Sequence, residues 1–390
     1  MRITERKAGG KMKRGIWGIG VLGLVLLMRI AGVQADEAKP DAAAEKKPAM
    51  SVEDIKNALG LSIYLQGGYT LNFQNPSTGE NGLRIFDHKS NSFTLDLAQV
   101  LFNKDAAVGG LGYRLKLDVG ETAKFIHSKG LGGSNDVFDL TEAYVDYVAP
   151  LGKGLKLRFG KFVTFVGAEV IEARDNPNYS RSFLFNYAEP LTHTGFMASY
   201  PVSDQWTASL YLVNGWDNTD DNNQGKTGAL SVAYTPMEQF STTLNLMYGP
   251  EKDNNNHDDR FLLDWVGTVK PIKNLSFILN IDYGTDQHSA PDGGEAKWYG
   301  WAVIGKYDFN DWFSVALRGE YFNDPQGFRT GTAQRLKEIT LTPQFVVAKN
   351  LLVRPEYRHD WSNMESFPGS TGSNTKKDQD TIALGLMYTW

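Results

Sequence analysis

The last stretch of the chain, Thr381-Ile-Ala-Leu-Gly-Leu-Met-Tyr-Thr-Trp390, alternates large apolar residues with small or polar ones. Every second residue from Ile382 onward is large and apolar: Ile382, Leu384, Leu386, Tyr388 and Trp390. Because successive side chains of a β-strand point to opposite faces, this period of two predicts a strand with one apolar face. The same period recurs in 274–285 and 311–322. From Leu61 onward the pattern therefore predicts an all-β body.

Sixteen strands can be traced, most of them 10–14 residues long. They are expected at 61–73, 91–102, 110–121, 137–148, 154–164, 191–201, 205–215, 226–235, 239–249, 260–270, 274–285, 297–308, 311–322, 335–347, 350–361 and 379–390. Globular strands usually have about five or six residues, whereas a strand that crosses a bilayer obliquely needs about 9–11. The lengths favour membrane-spanning strands.

The connections between these strands alternate between two kinds. Seven are short, such as 201–204 and 309–310, and only 103–109 is slightly longer. Eight are long, polar and rich in Gly, Asn or Asp: 74–90, 122–136, 165–190, 216–225, 250–259, 286–296, 323–334 and 362–378. Short periplasmic turns, long extracellular loops and both termini on the short side are typical of a bacterial outer-membrane barrel. The sequence thus predicts a 16-stranded antiparallel transmembrane β-barrel over 61–390.

Two further expectations concern prolines and aromatic residues. Pro343 and Pro355 fall inside assigned strands, so a β-bulge or a strand end displaced by two or three residues is expected there. Aromatic residues gather toward strand ends, where interfacial girdles would lie. They are Trp206, Trp265, Trp298, Trp301, Trp312, Tyr388 and Trp390.

The first 35 residues have the features of a secretory signal peptide. Six Lys or Arg precede an apolar run from Ile16 to Met28, and Val33 and Ala35 suit a cleavage site after Ala35. The alternative is an uncleaved inner-membrane anchor, but thirteen apolar residues are short of the roughly 20 that span a bilayer. Removing 1–35 takes away seven Lys or Arg and one Glu, which leaves a net charge of −11.

Residues 36–60 are expected to form a periplasmic linker with a possible short helix. Residues 36–50 are rich in Ala, Lys, Glu, Asp and Pro, a composition typical of disorder. Ser51 would be the N-cap of a helix that ends at Leu59, before Gly60. A docked helix and a frayed turn both fit this pattern.

Composition excludes several classes of function. The chain has no Cys, so disulfides, Cys-based zinc sites and thiol nucleophiles are excluded. A pI near 5.8 argues against a nucleic-acid partner. No cofactor and no metal site is expected; the Asp253–Asp259 loop lacks the Gly and the final Glu of an EF-hand loop.

A barrel of sixteen strands encloses an aqueous lumen. The alternate strand residues that are expected to face this lumen are polar. The expected pore-wall residues are Arg114, Lys116, Asp118, Glu142, Asp146, Lys156, Arg158, Arg318, Glu320, Arg354, Glu356 and Arg358. Each one could instead be part of a cross-strand ion pair that only holds the wall. Together they would still create a transverse field across the lumen.

The longest loop, 165–190, is expected to fold inward as a third loop that narrows the pore. A water-exposed loop would not keep Phe183, Leu184, Phe185 and Tyr187 together. The charged candidates for the constriction are Glu169, Glu172, Arg174, Asp175 and Arg181. The alternative is a loop that packs over the barrel mouth or against a neighbouring subunit.

Four runs between residues 157 and 195 resemble the putative β-barrel porin-2 family of Gram-negative outer membranes. They are Leu157-Arg-Phe-Gly-Lys161-Phe, Gly167-Ala-Glu169-Val-Ile171, Asn176-Pro-Asn-Tyr-Ser180-Arg181-Ser and Pro190-Leu-Thr-His193-Thr-Gly195. The resemblance implies an outer-membrane barrel that forms a channel for passive diffusion of small hydrophilic solutes or ions. Its expected partners are outer-membrane lipid, lipopolysaccharide and the barrel-assembly machinery, which would read the C-terminal aromatic Trp390. A homotrimer is possible.

Two other functions compete with a channel. A barrel hydrolase would need a nucleophile beside a base, but the six His residues are scattered and the sequence contains no His-Glu-x-x-His or Gly-x-Ser-x-Gly motif. His193 is expected to be a packing residue of the wall or loop. A barrel that only displays loops for adhesion or binding is the other alternative. The sequence leaves ion preference and solute identity open.

Overall fold

The computed structural model describes residues 51–133 and 135–390, so the expected signal peptide, its cleavage site and the linker 36–50 lie outside the described residues. The strands are β1 Leu61–Asn72, β2 Ser92–Lys104, β3 Leu111–Val119, β4 Phe138–Ala149, β5 Leu155–Val163, β6 Thr192–Pro201, β7 Trp206–Val213, β8 Thr227–Met237, β9 Phe240–Pro250, β10 Asp259–Ile272, β11 Leu275–Asp286, β12 Ala296–Asp308, β13 Phe313–Asp324, β14 Gln334–Ala348, β15 Leu351–Ser362, β16 Phe367–Gly369, β17 Gly372–Lys376 and β18 Asp378–Thr389.

Sixteen of these strands form one closed antiparallel barrel. The order is β1 to β15 in sequence, then β18, which pairs with β1 and closes the ring. Beyond the last strand pair, the Ile63 and Trp390 backbones exchange two hydrogen bonds of 2.9 and 2.8 Å. The 16-stranded barrel is confirmed, and every strand end lies within two residues of its predicted position.

Alternating burial along the strands explains why this sequence closes into a barrel. In β18, Ile382, Leu384 and Leu386 are about half exposed on the outside, whereas Thr381 and Met387 are buried inside. The apolar outer face suits a lipid environment, where an unpaired polar group is costly. Closure removes the two free sheet edges that would otherwise leave such groups.

Pro343 and Pro355 lie inside β14 and β15, and the ladder between these strands shifts register nearby, between Val346 and Ala348. Around the prolines the ladder pairs Leu341 with Tyr357 and Phe345 with Val353 in the same register, and backbone pairing is missing between these two pairs. In that register the two prolines lie opposite each other, so both missing N–H donors fall in a single gap. Inward side chains bridge the same gap, because Arg354 Nε donates to Gln344 Oε1 at 2.9 Å.

A short helix, α1 Val52–Leu59, precedes the barrel and contacts its periplasmic rim. Ser51 and Asp54 form a capping box, and Gly60 ends the helix in the left-handed conformation at φ 58°. The Leu59 carbonyl accepts a hydrogen bond from the Tyr113 hydroxyl, and Lys56 Nζ lies 4.4 Å from the centre of the Trp390 ring. In the described part of the chain, no helix has the length and apolar character needed to cross a membrane.

Two features of the extracellular side differ from the sequence-based expectation. The loop 362–378 contains a small hairpin, β16–β17, which was not predicted. Trp298 does not belong to an aromatic girdle, because its side chain is fully buried inside the barrel. Its indole N–H donates to the Ala188 carbonyl at 3.1 Å. Trp206, Trp301, Trp312 and Tyr388 are exposed on the outside, as a girdle requires.

Candidate functional site

The candidate site is the polar interior of the barrel together with residues 164–191, the inner segment, which connects β5 to β6. The segment begins and ends at one point, where Thr164 N donates to the Leu191 carbonyl at 2.9 Å. Between these ends it contains a 3₁₀ turn at Ala173–Asp175 and a π-helical turn at Leu184–Ala188. Because these two turns are short, much of the remaining backbone of the segment needs side-chain partners.

Two carboxylates of the wall bind successive backbone N–H groups of the inner segment. Glu356 accepts from Tyr179 N and Ser180 N at 2.6 and 3.0 Å. Glu320 accepts from Phe183 N and Leu184 N at 2.7 and 2.5 Å. The second pair lies at the start of the helical turn, where free N–H groups favour a negative charge.

Three arginines of the wall bind the carbonyls of the same part of the segment. Arg318 donates to Ser180 O at 2.8 Å, Arg358 to Arg181 O at 2.5 Å, and Arg354 to Ala173 O at 2.5 Å. All three side chains are buried, as are Glu320 and Glu356. These predicted wall residues thus clamp the inner segment with charge-assisted hydrogen bonds to its backbone.

Three of the five predicted constriction residues are buried and bonded to protein. Glu169 accepts from Arg318 and from Ser182 N, both at 2.8 Å. Glu172 accepts from Gln99 at 2.6 Å and from Lys116 at 2.8 Å. Arg181 donates to the carbonyls of Val170, Tyr179 and Ile171. At 1–6% exposure, these three side chains shape the segment and do not present charge to a solute.

The other two predicted constriction residues, Arg174 and Asp175, keep contact with solvent. Their side chains are 22% and 54% exposed, and they pair with each other at 3.1 Å. The Arg174 guanidinium lies 4.5 Å from the centre of the Tyr64 ring and bonds Thr389 Oγ1. This turn is the charged part of the inner segment that a solute in the lumen could meet.

Burial of Glu172 and its contact with Lys116 have opposite effects on its pKa. Burial alone raises the pKa, but the charge of Lys116 and the hydrogen bonds from Lys116 and Gln99 outweigh it and lower the pKa to about 2. The carboxylate therefore stays ionised over the physiological range and holds the segment against β2 and β3.

Two glycines of the barrel wall leave the space that the Tyr179 side chain occupies. Gly68 of β1 and Gly385 of β18 are paired across the closing seam. A Cβ on Gly68 would lie 2.2 Å from the Tyr179 hydroxyl, and one on Gly385 would lie 2.4 Å from its ring. The hydroxyl donates to Asp96 Oδ2 at 2.6 Å. Only the missing side chains allow the ring to lie flat on the wall at this seam.

The apolar side of the inner segment is buried where the barrel interior is apolar. Phe183, Leu184 and Phe185 are at most 2% exposed, as the composition of the loop predicted. Val166, Phe183, Leu184 and Ala188 share a core with inward residues of the extracellular half of the wall. These wall residues are Ala229, Met247, Leu262, Trp298, Ala302, Phe322 and Leu336. The combined core fixes the segment along one side of the lumen.

The twelve predicted pore-wall residues divide into two groups by exposure. Nine are buried: Lys116, Asp118, Glu142, Asp146, Arg318, Glu320, Arg354, Glu356 and Arg358. The three that keep partial exposure are all basic, namely Arg114, Lys156 and Arg158 on β3 and β5. Arg114 pairs with Glu142 at 2.6 Å and Arg158 with Asp146 at 2.8 Å. The accessible charge of this group is therefore positive.

Several residues of the interior were not recognised in the sequence. Arg84, from the first extracellular loop, is buried and donates to Asp360 and Asp87. Glu189, Asp264 and Asp282 bring carboxylate oxygens within 4.8 Å of one another. The sequence gives no signal for these groupings, since their members come from separate elements far apart in the chain.

His193 is held on both ring nitrogens. Its Nδ1 lies 3.0 Å from the Gly215 carbonyl and its Nε2 lies 3.0 Å from Thr164 Oγ1. The side chain is fully buried. His193 thus packs where the inner segment begins and ends, and it is not placed to accept a proton from a substrate.

The chain was compared with known families and structures. A family model described as "Putative beta-barrel porin-2, OmpL-like" matches residues 58–390. No curated protein matches the sequence. An anion-selective porin from Comamonas acidovorans is similar in structure, with a TM-score of 0.59, 11% identity and coverage of 85% of this chain and 98% of the porin.

Two further solved structures have the same barrel. The outer membrane channel DcaP of Acinetobacter baumannii has a TM-score of 0.57 and 9% identity. The match covers 85% of this chain and 96% of DcaP. Salmonella typhi OmpF, in complex with daunomycin, has a TM-score of 0.58 and 14% identity. The match covers 85% of this chain and 97% of OmpF. At these identities the structures establish the fold.

Proposed function

The chain belongs to the putative beta-barrel porin-2, OmpL-like family, and we propose that its passive outer-membrane channel runs beside the inner segment and favours anions. The general function, passive diffusion through a water-filled outer-membrane barrel, follows from this membership. The proposed path passes Arg174 and Asp175 of the segment on one side. On the other side it passes the basic wall residues Arg114, Lys156 and Arg158.

One observation carries the proposed ion preference. Every acidic residue among the predicted wall residues is buried, whereas the three that keep exposure are basic. Among the described residues, Lys156 forms no ion pair with a carboxylate, so its charge is not neutralised by a protein partner. A field of this sign lowers the barrier for an anion and raises it for a cation. The net charge of −11 is that of the whole mature chain and does not decide the sign inside the lumen.

The test is single-channel recording of the refolded mature protein in a planar bilayer, with the reversal potential measured in a salt gradient. We expect stepwise conductance and a reversal potential on the anion-selective side. Lys156→Glu should move the reversal potential toward cation selectivity. Lys337→Glu is the matched control, because Lys337 is exposed on the outer face of β14 and should leave selectivity unchanged.

Two results would overturn the proposal. A cation-selective wild-type channel, or a reversal potential that Lys156→Glu does not move, would contradict the basic path. Silence from protein that is folded and inserted would contradict an open channel. That result would favour the alternative of a barrel that displays its loops for adhesion or binding. A hydrolase assay on the same preparation tests the less favoured enzymatic alternative.

Export and assembly are parts of the same proposal. Cleavage after Ala35 predicts that protein isolated from the outer membrane begins at Asp36, which an intact mass would reveal. A mass that includes residues 1–35 would instead support the uncleaved anchor.

One similar structure, OmpT of Vibrio cholerae at 13% identity, is a trimer form. A homotrimer of this chain is testable by chemical cross-linking in native membranes, and a monomer there would exclude it.

A further inference from the structure

Three carboxyl groups meet inside the barrel where the inner segment joins the wall. Asp264 of β10 and Asp282 of β11 are directly paired across the two strands, and Glu189 approaches them from the inner segment. Their exposures are 0%, 1% and 4%. Like charges placed directly opposite each other on neighbouring strands are destabilising, and burial increases that cost.

No cationic side chain compensates this cluster. Glu169 and Asp286, two other buried acids, pair with Arg318 and Arg260 at 2.8 Å. Within the described residues, Glu189, Asp264 and Asp282 have no Lys, Arg or His partner. A buried charge without a partner is unfavourable unless it is neutralised or coordinates a metal ion.

A second observation points to a ligand among these groups. Two buried carboxylate oxygens there have no hydrogen-bond partner: Glu189 Oε2 and Asp282 Oδ1. The side-chain amides of Asn245 and Asn280 donate to Asp264 at 2.6 and 2.8 Å, and Asn280 also donates to Asp282 Oδ2 at 3.3 Å, but neither amide bonds the two unpartnered oxygens. Buried carboxylate oxygens that lack donors are the kind of ligand that binds a hard cation.

The surrounding backbone leaves room for the Glu189 carboxylate at this place only because residue 167 is glycine. A Cβ on Gly167, whose φ is +87°, would lie 1.8 Å from Glu189 Oε2. Gly167 N donates to Asp264 Oδ2 at 3.2 Å, and Ala168 N donates to Asn280 Oδ1 at 2.7 Å. The beginning of the inner segment, its end and two wall strands therefore meet at these oxygens.

We propose that Glu189, Asp264 and Asp282 bind one Ca²⁺ ion, which fastens both ends of the inner segment to β10 and β11. Calcium fits better than magnesium, because Ca²⁺ accepts irregular sets of oxygen ligands whereas Mg²⁺ demands near-octahedral geometry and retains its water. This proposal departs from the expectation from sequence that the chain has no metal site.

Without the ion, protons would have to neutralise the same cluster. Burial favours the neutral, protonated form of a carboxyl group. A bound divalent cation has the opposite effect, since it favours the carboxylate. The two states are therefore distinguishable, because one requires Ca²⁺ and the other requires only acid.

The experiment uses the mature protein refolded in detergent without lipopolysaccharide and stripped with EGTA. Ca²⁺ is added in a calorimetric titration, and the thermal unfolding midpoint is recorded with and without the ion. We expect one ion bound per chain and a higher midpoint with Ca²⁺, since a ligand that binds only the folded state stabilises it. Glu189→Gln and Asp282→Asn should each weaken binding about tenfold or more.

The double variant Asp253→Asn/Asp220→Asn removes exposed acids of two extracellular loops and should bind Ca²⁺ as the wild type does. If Asp282→Asn does not fold, Glu189→Gln still tests the site, because it changes the inner segment and leaves the barrel wall intact. Absence of Ca²⁺ uptake by folded wild type overturns the proposal. Loss of binding in the loop variant but not in Glu189→Gln overturns it as well.

Discussion

At the scale of single residues, Arg318 is the centre of the clamp on the inner segment. Its guanidinium contacts Glu338 at 2.7 Å, Glu169 at 2.8 Å and the Ser180 carbonyl at 2.8 Å, and its side chain is fully buried. Arg318→Gln would leave the buried Glu169 without its cation and Glu338 with only Arg358, at 3.7 Å, and breaking a buried ion pair typically costs about 3–5 kcal/mol. We expect a loss of that order in the free energy of unfolding, measured by guanidinium denaturation in detergent micelles.

Arg335→Gln is the matched change for this measurement. Arg335 lies on the neighbouring strand β14, but it is exposed on the outer face and forms no ion pair within the described chain. We expect its substitution to alter the unfolding free energy by less than about 0.5 kcal/mol. Equal losses in the two variants would show that removal of an arginine as such, and not of the clamp, determines the result.

Glu172 makes stability depend on pH in a defined direction. Its pKa is about 2 in the folded chain against an ordinary value of 4.5, so the folded state favours the ionised form. The stabilisation is complete above the unfolded pKa and disappears as the pH falls from about 4.5 through about 2. The stability difference between wild type and Glu172→Gln should therefore be constant from pH 6 to 8 and vanish toward pH 2.

Denaturation midpoints at a series of pH values would check this prediction. Glu365→Gln, a change at an exposed loop residue, controls for the loss of a carboxylate and should give a difference near zero throughout. A Glu172→Gln difference that instead grows as the pH falls would mean that the native state favours protonated Glu172, contrary to its contact with Lys116.

At the scale of elements, the strands and the inner segment differ in how far the sequence predicts them. The strands are predictable because period two, strand length and the two kinds of connection all depend on neighbours in sequence. The burial of Phe183, Leu184 and Phe185 was predictable from their clustering in a polar chain. The charges of the segment were not, because Glu169 and Glu172 are bonded by Arg318 and Lys116 of distant strands, and Arg181 donates to carbonyls that meet only when the segment folds.

The contact of Tyr179 with Gly68 and Gly385 predicts what holds the inner segment against the wall. Gly385→Ala would place a methyl group 2.4 Å from the Tyr179 ring, so the ring must leave the seam and lose its bond to Asp96. We expect a noisier and larger single-channel conductance, because the segment is no longer fixed against the wall. Gly319→Ala is the control, since nothing lies within 4 Å of a Cβ there. Unchanged conductance in Gly385→Ala would mean that Tyr179 does not restrain the segment.

At the scale of the whole molecule, the charges of the interior are distributed unevenly. Along β13 to β15, the buried Arg and Glu side chains bond the inner segment, whereas on β3 and β5 basic side chains keep contact with solvent. The sequence predicts seven basic and five acidic residues on the inner face of the wall. It does not show which of these charges are buried and which are exposed. Parity predicts which face of the wall a side chain occupies, but only the fold shows which charges are covered.

Closure of the whole barrel assigns two separable roles to Trp390. Its backbone exchanges two hydrogen bonds with Ile63, while its ring contacts Lys56 of α1. Trp390→Ala keeps the backbone bonds, so we expect refolding in detergent at close to the wild-type yield. We propose that the barrel-assembly machinery recognises the Trp390 ring, and on that proposal assembly in the outer membrane of cells should fall sharply. Deletion of Trp390 removes the bonds to Ile63 too, and should lower both yields. Equal losses of refolding for the two variants would show that the ring itself, and not its recognition in cells, closes the barrel.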